Sequence, residues 1–402
     1  MLGAPSRHKV LLLCLRAPWP PMGGCSLRAW QVLNALGKCA DVALFALTGN
    51  REPPPRSPAS VWRVTGRYDQ RAQAQDKWLE RPNGLPSDCY YDEESAKALR
   101  DLLERFAPDV VVFDQLWTHA YEETVRAGGA RLVLNTHNIE APLAREIAAS
   151  ESHVPAKLVR RVFAERVARL EQGMCERADQ VWVCSGLDRE WVHANYRVNG
   201  AIHVVPNAVD AALYRGPAPE RPAEFVGEGP FFLFPGVFHY APNQNAARFL
   251  IRDLFPLLAA RWPQARLLLV GADPTPAMME AAADPRIVVT GRVPEVAPYL
   301  RHASMMLVPL FEGGGTRFKI IEAFAARLPV VSTAKGAEGL EVRAGVHLLQ
   351  AGDAAQFVAA AEEIVAGGPA VAARVASAAE FAETLSFTGA AMVERALRAL
   401  QS

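Results

Sequence analysis

The chain has no net charge: 43 Lys and Arg balance 43 Asp and Glu. A neutral chain exerts no general pull on nucleic acid, and no local nucleic-acid-binding motif is present to replace it. Long apolar runs are missing as well. A spanning helix needs about 20 apolar residues and no stretch reaches that, while the run after MLGAPSRHK stops at Pro18. No signal peptide is therefore evident. The expected address is the cytoplasm, with the inner face of the membrane as an alternative. Cys14, Cys25, Cys39, Cys89, Cys175 and Cys184 form no CxxC pair and lie at no zinc spacing with histidine. They read as free thiols of a reducing compartment. There is no DxD-like acidic cluster and no short-period repeat.

What is present is an alternation. A chain of 402 residues predicts two domains at a usual size of roughly 100–200 residues each. Val10 to Leu15 is a short apolar run bounded by charge and a Pro/Gly loop, the pattern of a buried parallel strand. The loop PWPPMGG leads to a helical pattern from Ser26, a plausible N-cap, to Leu36, with Gly37 as a plausible stop. DVALFAL is the next strand. Helix Glu94 to Phe106 precedes DVVVFD, RLVLNTHN follows, and helix Lys157 to Glu176 precedes QVWVCS and IHVVPN. This predicts one open parallel sheet with helices on both faces.

Residues 209–229 are polar and Pro-rich and read as a linker. A second series then starts: FFLFPG, a helix from Asn245 to Leu258, ARLLLVG, RIVVTG, MMLVPL, a helix from Lys319 to Ala326, and LPVVST. The expected domains are thus 1–208 and 230–386. Residues 387–402 form a closing helix, a candidate to pack back on the N-terminal domain. Ligands of open α/β sheets bind at the carboxyl ends of the strands, so the expected site is a cleft between the two domains.

The segment Phe311 to Thr333 concentrates the chemistry. Gly313, Gly314 and Gly315 lie between a strand and a helix, where their backbone can approach a ligand closely and aim N–H groups at an anion. The helix dipole behind them favours negative charge. Thr316 is a natural N-cap. Arg317 and Lys319 put cations in the first turn, where the dipole disfavours them and a bound diphosphate would compensate. Phe318, Ile321 and Ala325 share one helical face, expected to be core; Lys319 and Glu322 share another, expected to line the cleft. Taken alone, the glycines have a lesser alternative, a tight turn with solvated charges.

MMLVPLFEGGG, IIEAFAARLPVVST and GAEGL together resemble the donor-binding region of retaining glycosyltransferases of the GT-B fold, family four. VVPNAVD resembles that family's interdomain segment, and RADQVWVCSGLDRE the last unit of its N-terminal domain. LLLVGADP and VVTGRVPEVAPYLRHASMMLVPL resemble the strands and loops leading to its nucleotide site. The resemblance implies two Rossmann-like domains, acceptor-binding then nucleotide-sugar-binding, and a donor that is a UDP- or GDP-sugar. It implies that Glu322 holds the ribose hydroxyls, a task for which a carboxylate accepts two bonds at once. It implies that Arg317 and Lys319 hold the diphosphate, and that Gly291 and Val293 sit by the base.

Two departures stand out. The family carries two glutamates separated by seven residues, yet Gly314 stands where the first is due, with Glu312 two positions away. The early Arg and Lys pair is replaced by GVFHYAPNQNAARF, which makes His239, Asn243 and Asn245 candidate polar contacts to the donor. In the first half, the Gly23–Gly24 loop is either a plain βα turn or a partner of the donor phosphates. His137 closes RLVLNT at the carboxyl end of a strand. A lone histidine is often structural, but the family has one in a matching position that contacts the transferred sugar. Asn138 and Glu140 are secondary candidates. Helix Lys157 to Glu176 carries five cations beside an apolar stripe of Leu158, Val162 and Phe163, either an ordinary amphipathic surface or a peripheral membrane contact.

The implied reaction is hexosyl transfer to an acceptor hydroxyl with retained configuration, without metal or other cofactor, in glycan, polysaccharide or glycoconjugate synthesis. The acceptor is open, lipid-linked or glycan among others. A silent nucleotide-sugar-binding or partner subunit and a nucleotide-sugar epimerase are the rival readings.

Overall fold

The computed structural model describes residues 8–21, 23–66, 77–151, 153–214, 216–217, 219–314 and 317–400. Gly315 and Thr316 lie outside the described residues. The chain forms two compact units. One takes the chain to Asn207 together with the residues from Thr388 onward; the other is Ala208–Phe387.

The first unit contains a seven-stranded parallel sheet in the order β3-β2-β1-β4-β5-β6-β7. The strands are β1 (His8–Arg16), β2 (Ala40–Thr48), β3 (Val61–Val64), β4 (Val110–Asp114), β5 (Arg131–Asn135), β6 (Gln180–Val183) and β7 (Ala201–Val204). Its helices are α1 (Gly24–Cys39), α2 (Glu93–Phe106), α3 (Glu122–Ala127), α4 (Glu140–Ser150), α5 (Val154–Arg177) and α6 (Gly186–Asn195). Alternate residues of each strand feed two cores. Leu11 and Leu13 join Phe45, Phe113, Leu99 and Val167 on one face. Val10, Leu12 and Cys14 join Val32, Leu33 and Leu36 of α1 on the other. Burial of both faces is why these strands read as unbroken apolar runs.

The second unit has a six-stranded parallel sheet in the order β10-β9-β8-β11-β12-β13. These are β8 (Phe231–Pro235), β9 (Arg266–Val270), β10 (Ile287–Gly291), β11 (Met305–Val308), β12 (Val330–Ser332) and β13 (Leu349–Gln350). The helices are α7 (Ala241–Phe249), α8 (Phe255–Arg261), α9 (Pro276–Ala281), α10 (Ala297–His302), α11 (Phe318–Ala325), α12 (Ala354–Ala366) and α13 (Pro369–Ala399). In each sheet the strand order reverses at one place, β1/β4 in the first and β8/β11 in the second. A crevice at the carboxyl ends of the strands is expected there.

Several expectations shift for local reasons. Helix α1 starts at Gly24 rather than at Ser26, because Gly23 takes φ 85° at the N-cap, a conformation glycine adopts without strain. Gly37 does not stop it. The helix runs to Cys39, and Gly37 is needed because a Cβ there would stand 2.8 Å from Pro58 Cβ. The helix expected from Asn245 to Leu258 is interrupted by a π turn at Leu250–Leu254, next to Pro256, which cannot donate to the helical ladder. The closing helix begins at Pro369, twenty residues before the expected Gly389, through an alanine-rich run of high helix propensity. Its last turns join the first unit. Val393, Ala396, Leu397 and Leu400 pack in the α1-side core, and Gln180 Nε2 donates to the Ala396 carbonyl at 2.9 Å.

The described residues of 209–229 are mostly exposed, but the segment is anchored at a few buried positions. It clusters with the second unit, contains a 3-10 turn at Ala211–Tyr214, and buries Tyr214 and Phe225. Its proline and polar content reflects an irregular path over the unit, with two aromatic anchors.

Candidate active site

In the second unit, the switch point is built from the loop after β8 and the glycine loop before α11. Phe318, Ile321 and Ala325 are buried as core, which turns Lys319 and Glu322 to the opposite, half-buried face. Lys319 Nζ donates to Asn243 Oδ1 at 3.0 Å and lies 4.2 Å from the centre of the Phe234 ring. Asn243 is itself fixed by donating to the Val237 carbonyl at 2.9 Å. Glu322 accepts the Tyr214 hydroxyl at 2.9 Å.

Both ionisable groups are perturbed. Burial, with the Arg317 charge nearby, drops the Lys319 amine to about 7 against the partial support of Glu322. Burial lifts the Glu322 carboxyl to about 7, opposed by the Tyr214 bond and Lys319. An amine and a carboxyl one helical turn apart therefore both titrate near neutrality, as groups at functional sites often do.

Arg317 has a different place from the one expected. Its guanidinium is buried and spans the carbonyls of Gly313 (2.6 Å), Gly314 (2.5 Å) and Lys335 (3.2 Å). It braces the glycine loop against the turn after β12. Gly313, at φ 95°, comes so close to the loop after β8 that a Cβ would meet Pro242 Cγ and Tyr240 Oη at 2.9 Å. Only glycine fits both demands.

The remaining expected donor contacts scatter. Glu312 accepts from Asn245. His239 is exposed and paired with Asp273 at 2.9 Å. Gly291 takes φ 67° at the end of β10, with open space where a Cβ would project. Val293 follows it, half-buried. Gly314 is half-buried, with its carbonyl held by Arg317.

In the first unit, the β1/β4 switch point holds a buried polar network. His137 Nε2 bonds Asp114 Oδ1 at 2.9 Å, and its Nδ1 faces the Gln115 amide at 3.0 Å. Asp114 also accepts from Asn135, which accepts from Arg28 at 2.7 Å. Arg28 is fully buried and reaches on to the Val205 carbonyl and Asn207 Oδ1, both at 2.8 Å. Burial disfavours a charged imidazole, but Asp114, with a contribution from Cys25, outweighs it and lifts His137 to about 9. The ring is thus an imidazolium at neutral pH. Its Nδ1–H then calls for the oxygen of the Gln115 amide, an orientation that the network rather than the amide's shape assigns. Gln115 holds φ 82°, a left-handed conformation unfavourable for a residue with a Cβ, directly beside His137.

Gly23 and Gly24 are exposed at the start of α1, where no side chain caps the helix. Asn138 donates to Glu140 at 3.4 Å. Glu140 is lifted to about 8 by burial and by Glu171. Glu171 in turn accepts the Glu140 and Ala141 N–H groups at 2.6 and 3.0 Å and the Tyr196 hydroxyl at 2.8 Å, so it serves as the N-terminal cap of α4.

Among the described residues no group of three or more His, Cys, Asp or Glu could hold a metal ion. Asp114, Gln115 and Tyr214 were not singled out from the sequence. Asp114 had a weak signal, as the last residue of a strand at its carboxyl end. Tyr214 had none, since it lies in the segment read as linker.

Two family models match the chain. Residues 22–213 match Glycosyltransferase Family 4 and residues 229–367 match Glycosyl transferases group 1. The chain belongs to the group 1 glycosyltransferases. No curated protein matches it. Among solved structures, this glycosyltransferase resembles a sucrose-phosphate synthase from Thermosynechococcus elongatus at TM-score 0.72 and 18% identity, over 98% of this chain and 99% of that one. It resembles Anabaena HepE in complex with UDP and glucose at 0.68 and 13%, over 98% and 100%. It also resembles a UDP-N-acetylglucosamine 2-epimerase of Listeria monocytogenes, described as such by assignment, at 0.58 and 12%, over 99% and 96%. At these identities the likeness is one of fold. The architecture of the glycosyltransferase is therefore GT-B, two parallel-sheet α/β units, and the chemistry rests on its own residues.

Proposed function

We propose that the glycosyltransferase moves a hexosyl group from a nucleotide-sugar donor to an acceptor hydroxyl with retention of configuration. The observation that carries this reading is the Lys319–Glu322 face of α11 beside the glycine loop. A carboxylate suited to two ribose hydroxyls and an amine suited to a diphosphate stand one turn apart. Burial keeps each near neutrality until a ligand supplies the missing charge or hydrogen bonds. UDP-hexoses are the first donors to test, because HepE is described with UDP and UDP-glucose.

In this reading the donor binds the second unit. Lys319 and the N-terminal dipole of α11 stabilise negative charge as the diphosphate departs. Arg317 acts at one remove, by holding the Gly313 and Gly314 carbonyls away from the anion and leaving the loop N–H groups for it. The first unit holds the acceptor and presents His137 as an imidazolium donor to the transferred sugar. With no second carboxylate in register, the leaving phosphate takes the acceptor proton. The basic groups meet the diphosphate charge, so a metal is not called on. A lipid-linked or glycan acceptor places the reaction in polysaccharide or glycoconjugate synthesis.

The test is a thermal-shift screen against UDP, GDP, ADP and dTDP and their hexoses, repeated on Glu322→Ala, followed by turnover with cell-derived acceptor. Ligand at 100 times its dissociation constant stabilises by about 2.7 kcal/mol. One nucleotide family should shift the parent and not the variant, with acceptor-dependent release of nucleotide and an axial or equatorial bond matching the donor. Conversion of the sugar without acceptor would identify an epimerase. Binding without turnover would identify a silent subunit.

A further inference from the structure

Helix α5 changes character along its length. From Phe163 onward its apolar residues, Val167, Leu170, Met174 and Cys175, pack into the core of the first unit. In its first turns the apolar residues point to solvent. Val154 is 67% exposed, Leu158 57% and Val162 40%, at i, i+4 and i+8 on one face. Leu79, 45% exposed, belongs to the neighbouring 3-10 turn Trp78–Glu80. Arg166 ties that turn to α5 by donating to the Trp78 and Gly84 carbonyls at 3.0 and 2.7 Å. Single exposed apolar residues need no explanation, but a continuous row with an adjoining leucine does.

The charges around the row are lopsided. Three acids beside the row are already paired: Glu151 with Arg160 at 3.0 Å, Glu165 with Arg145 at 3.6 Å, and Glu80 with Lys77 at 3.4 Å. Lys157 and Arg169 donate only to backbone carbonyls, and Arg161 is exposed with no acidic partner among the described residues. The surplus is positive. An exposed apolar row edged by unneutralised cations on a helix that is too polar to cross a bilayer is the pattern of an interfacial helix.

We propose that the first turns of α5, with Leu79, dock on an anionic phospholipid surface. The apolar row enters the headgroup boundary while Lys157, Arg161 and Arg169 meet lipid phosphates. Glu171, which caps α4 just after His137, lies thirteen residues further along the helix, about 20 Å at 1.5 Å per residue. A docked enzyme would hold the His137 end of its first unit within that distance of the membrane. The inference does not depend on the proposed reaction, and its test reads no turnover.

The test is co-sedimentation of the full chain with vesicles of phosphatidylcholine alone, or of two parts phosphatidylcholine to one part phosphatidylglycerol. Binding is expected only to the anionic vesicles and should fall steeply in high salt. Leu158→Glu/Val162→Glu and, separately, Arg161→Glu should reduce it about tenfold or more and several-fold respectively, with unchanged melting temperatures showing that the fold is intact. Equal binding to both vesicle types, no binding to either, or a double variant that sediments like the parent overturns the proposal. A self-association in solution that the double variant abolishes, with vesicle binding absent, would instead assign the face to a second copy of the chain.

Discussion

Tyr214 donates its hydroxyl to Glu322 across 2.9 Å, from a turn outside the second sheet to the helix at that sheet's switch point. The bond supports the ionised carboxylate against burial, which otherwise favours the protonated form. Tyr214→Phe removes that support and leaves the ring's packing intact. Glu322 should then titrate still higher, and nucleotide affinity at pH 7 should fall about tenfold to a hundredfold, the size of one hydrogen bond to a charged group. Calorimetric titration of the variant with the nucleotide found in the screen checks this. Undiminished affinity would remove Tyr214 from the site.

The pH dependence of donor binding follows from the same pair. Ribose hydroxyls need Glu322 ionised, so affinity should rise with pH up to its value of about 7. A diphosphate needs Lys319 protonated, so affinity should fall as pH rises above about 7. The product is a maximum near neutrality, with proton uptake on binding above it, by up to one proton. Calorimetry in two buffers of different ionisation enthalpy measures that uptake directly. A flat profile between pH 6 and pH 9 would contradict both assignments.

Arg317 and Lys319 should separate in their effects on stability. Arg317→Ala leaves three loop carbonyls without their donor and should cost about 2–4 kcal/mol in unfolding free energy. Lys319→Met removes a desolvated amine and puts an apolar group of similar length in its place beside the Phe234 ring. It should stabilise the fold by roughly 1 kcal/mol while abolishing turnover, a trade seen where function holds a group in an unfavourable place. Denaturant melts beside activity assays resolve the two. A stable, inactive Arg317→Ala would restore Arg317 as a direct donor ligand.

The His137–Asp114 pair predicts a stability window. The folded imidazole titrates near 9, above its ordinary value of 6.5. Its contribution is therefore fully present below pH 6.5 and is lost as pH rises through 9. The difference amounts to about 3 kcal/mol at most, by the energy of a pKa shift. Asp114→Asn should flatten that part of the stability profile and lower the imidazole value below 6.5, where burial alone would take it. Unfolding at pH 6 and pH 9, with the His137 titration followed by NMR, decides it.

The alternating elements and the glycine loop were legible because their signals are local. Apolar runs such as VVVFD and FFLFP, flanked by loop residues, have few other places to go than a buried parallel strand. The facing of α11 followed from the spacing of Phe318, Ile321 and Ala325 alone. Helix limits were less legible, since Gly37 looks like a stop until Pro58 is known to lie against it. How the segment 209–229 is anchored was hidden for a similar reason. Proline and charge mark irregular backbone, whether it is free or packed, and only the burial of Tyr214 and Phe225 distinguishes the two.

The sequence by itself determined the doubly wound α/β architecture, the place of the glycine loop between β11 and α11, and the helical face that Lys319 shares with Glu322. Each depends on periodicity or on residues within one turn. The tertiary structure decided what those groups touch. It turned Arg317 inward onto Gly313, Gly314 and Lys335, brought Tyr214 over a hundred residues of chain to Glu322, and set Asp114 against His137. The physical reason is that hydrogen bonding and desolvation depend on neighbours in space, and the parallel sheet makes neighbours of residues that lie far apart in the chain.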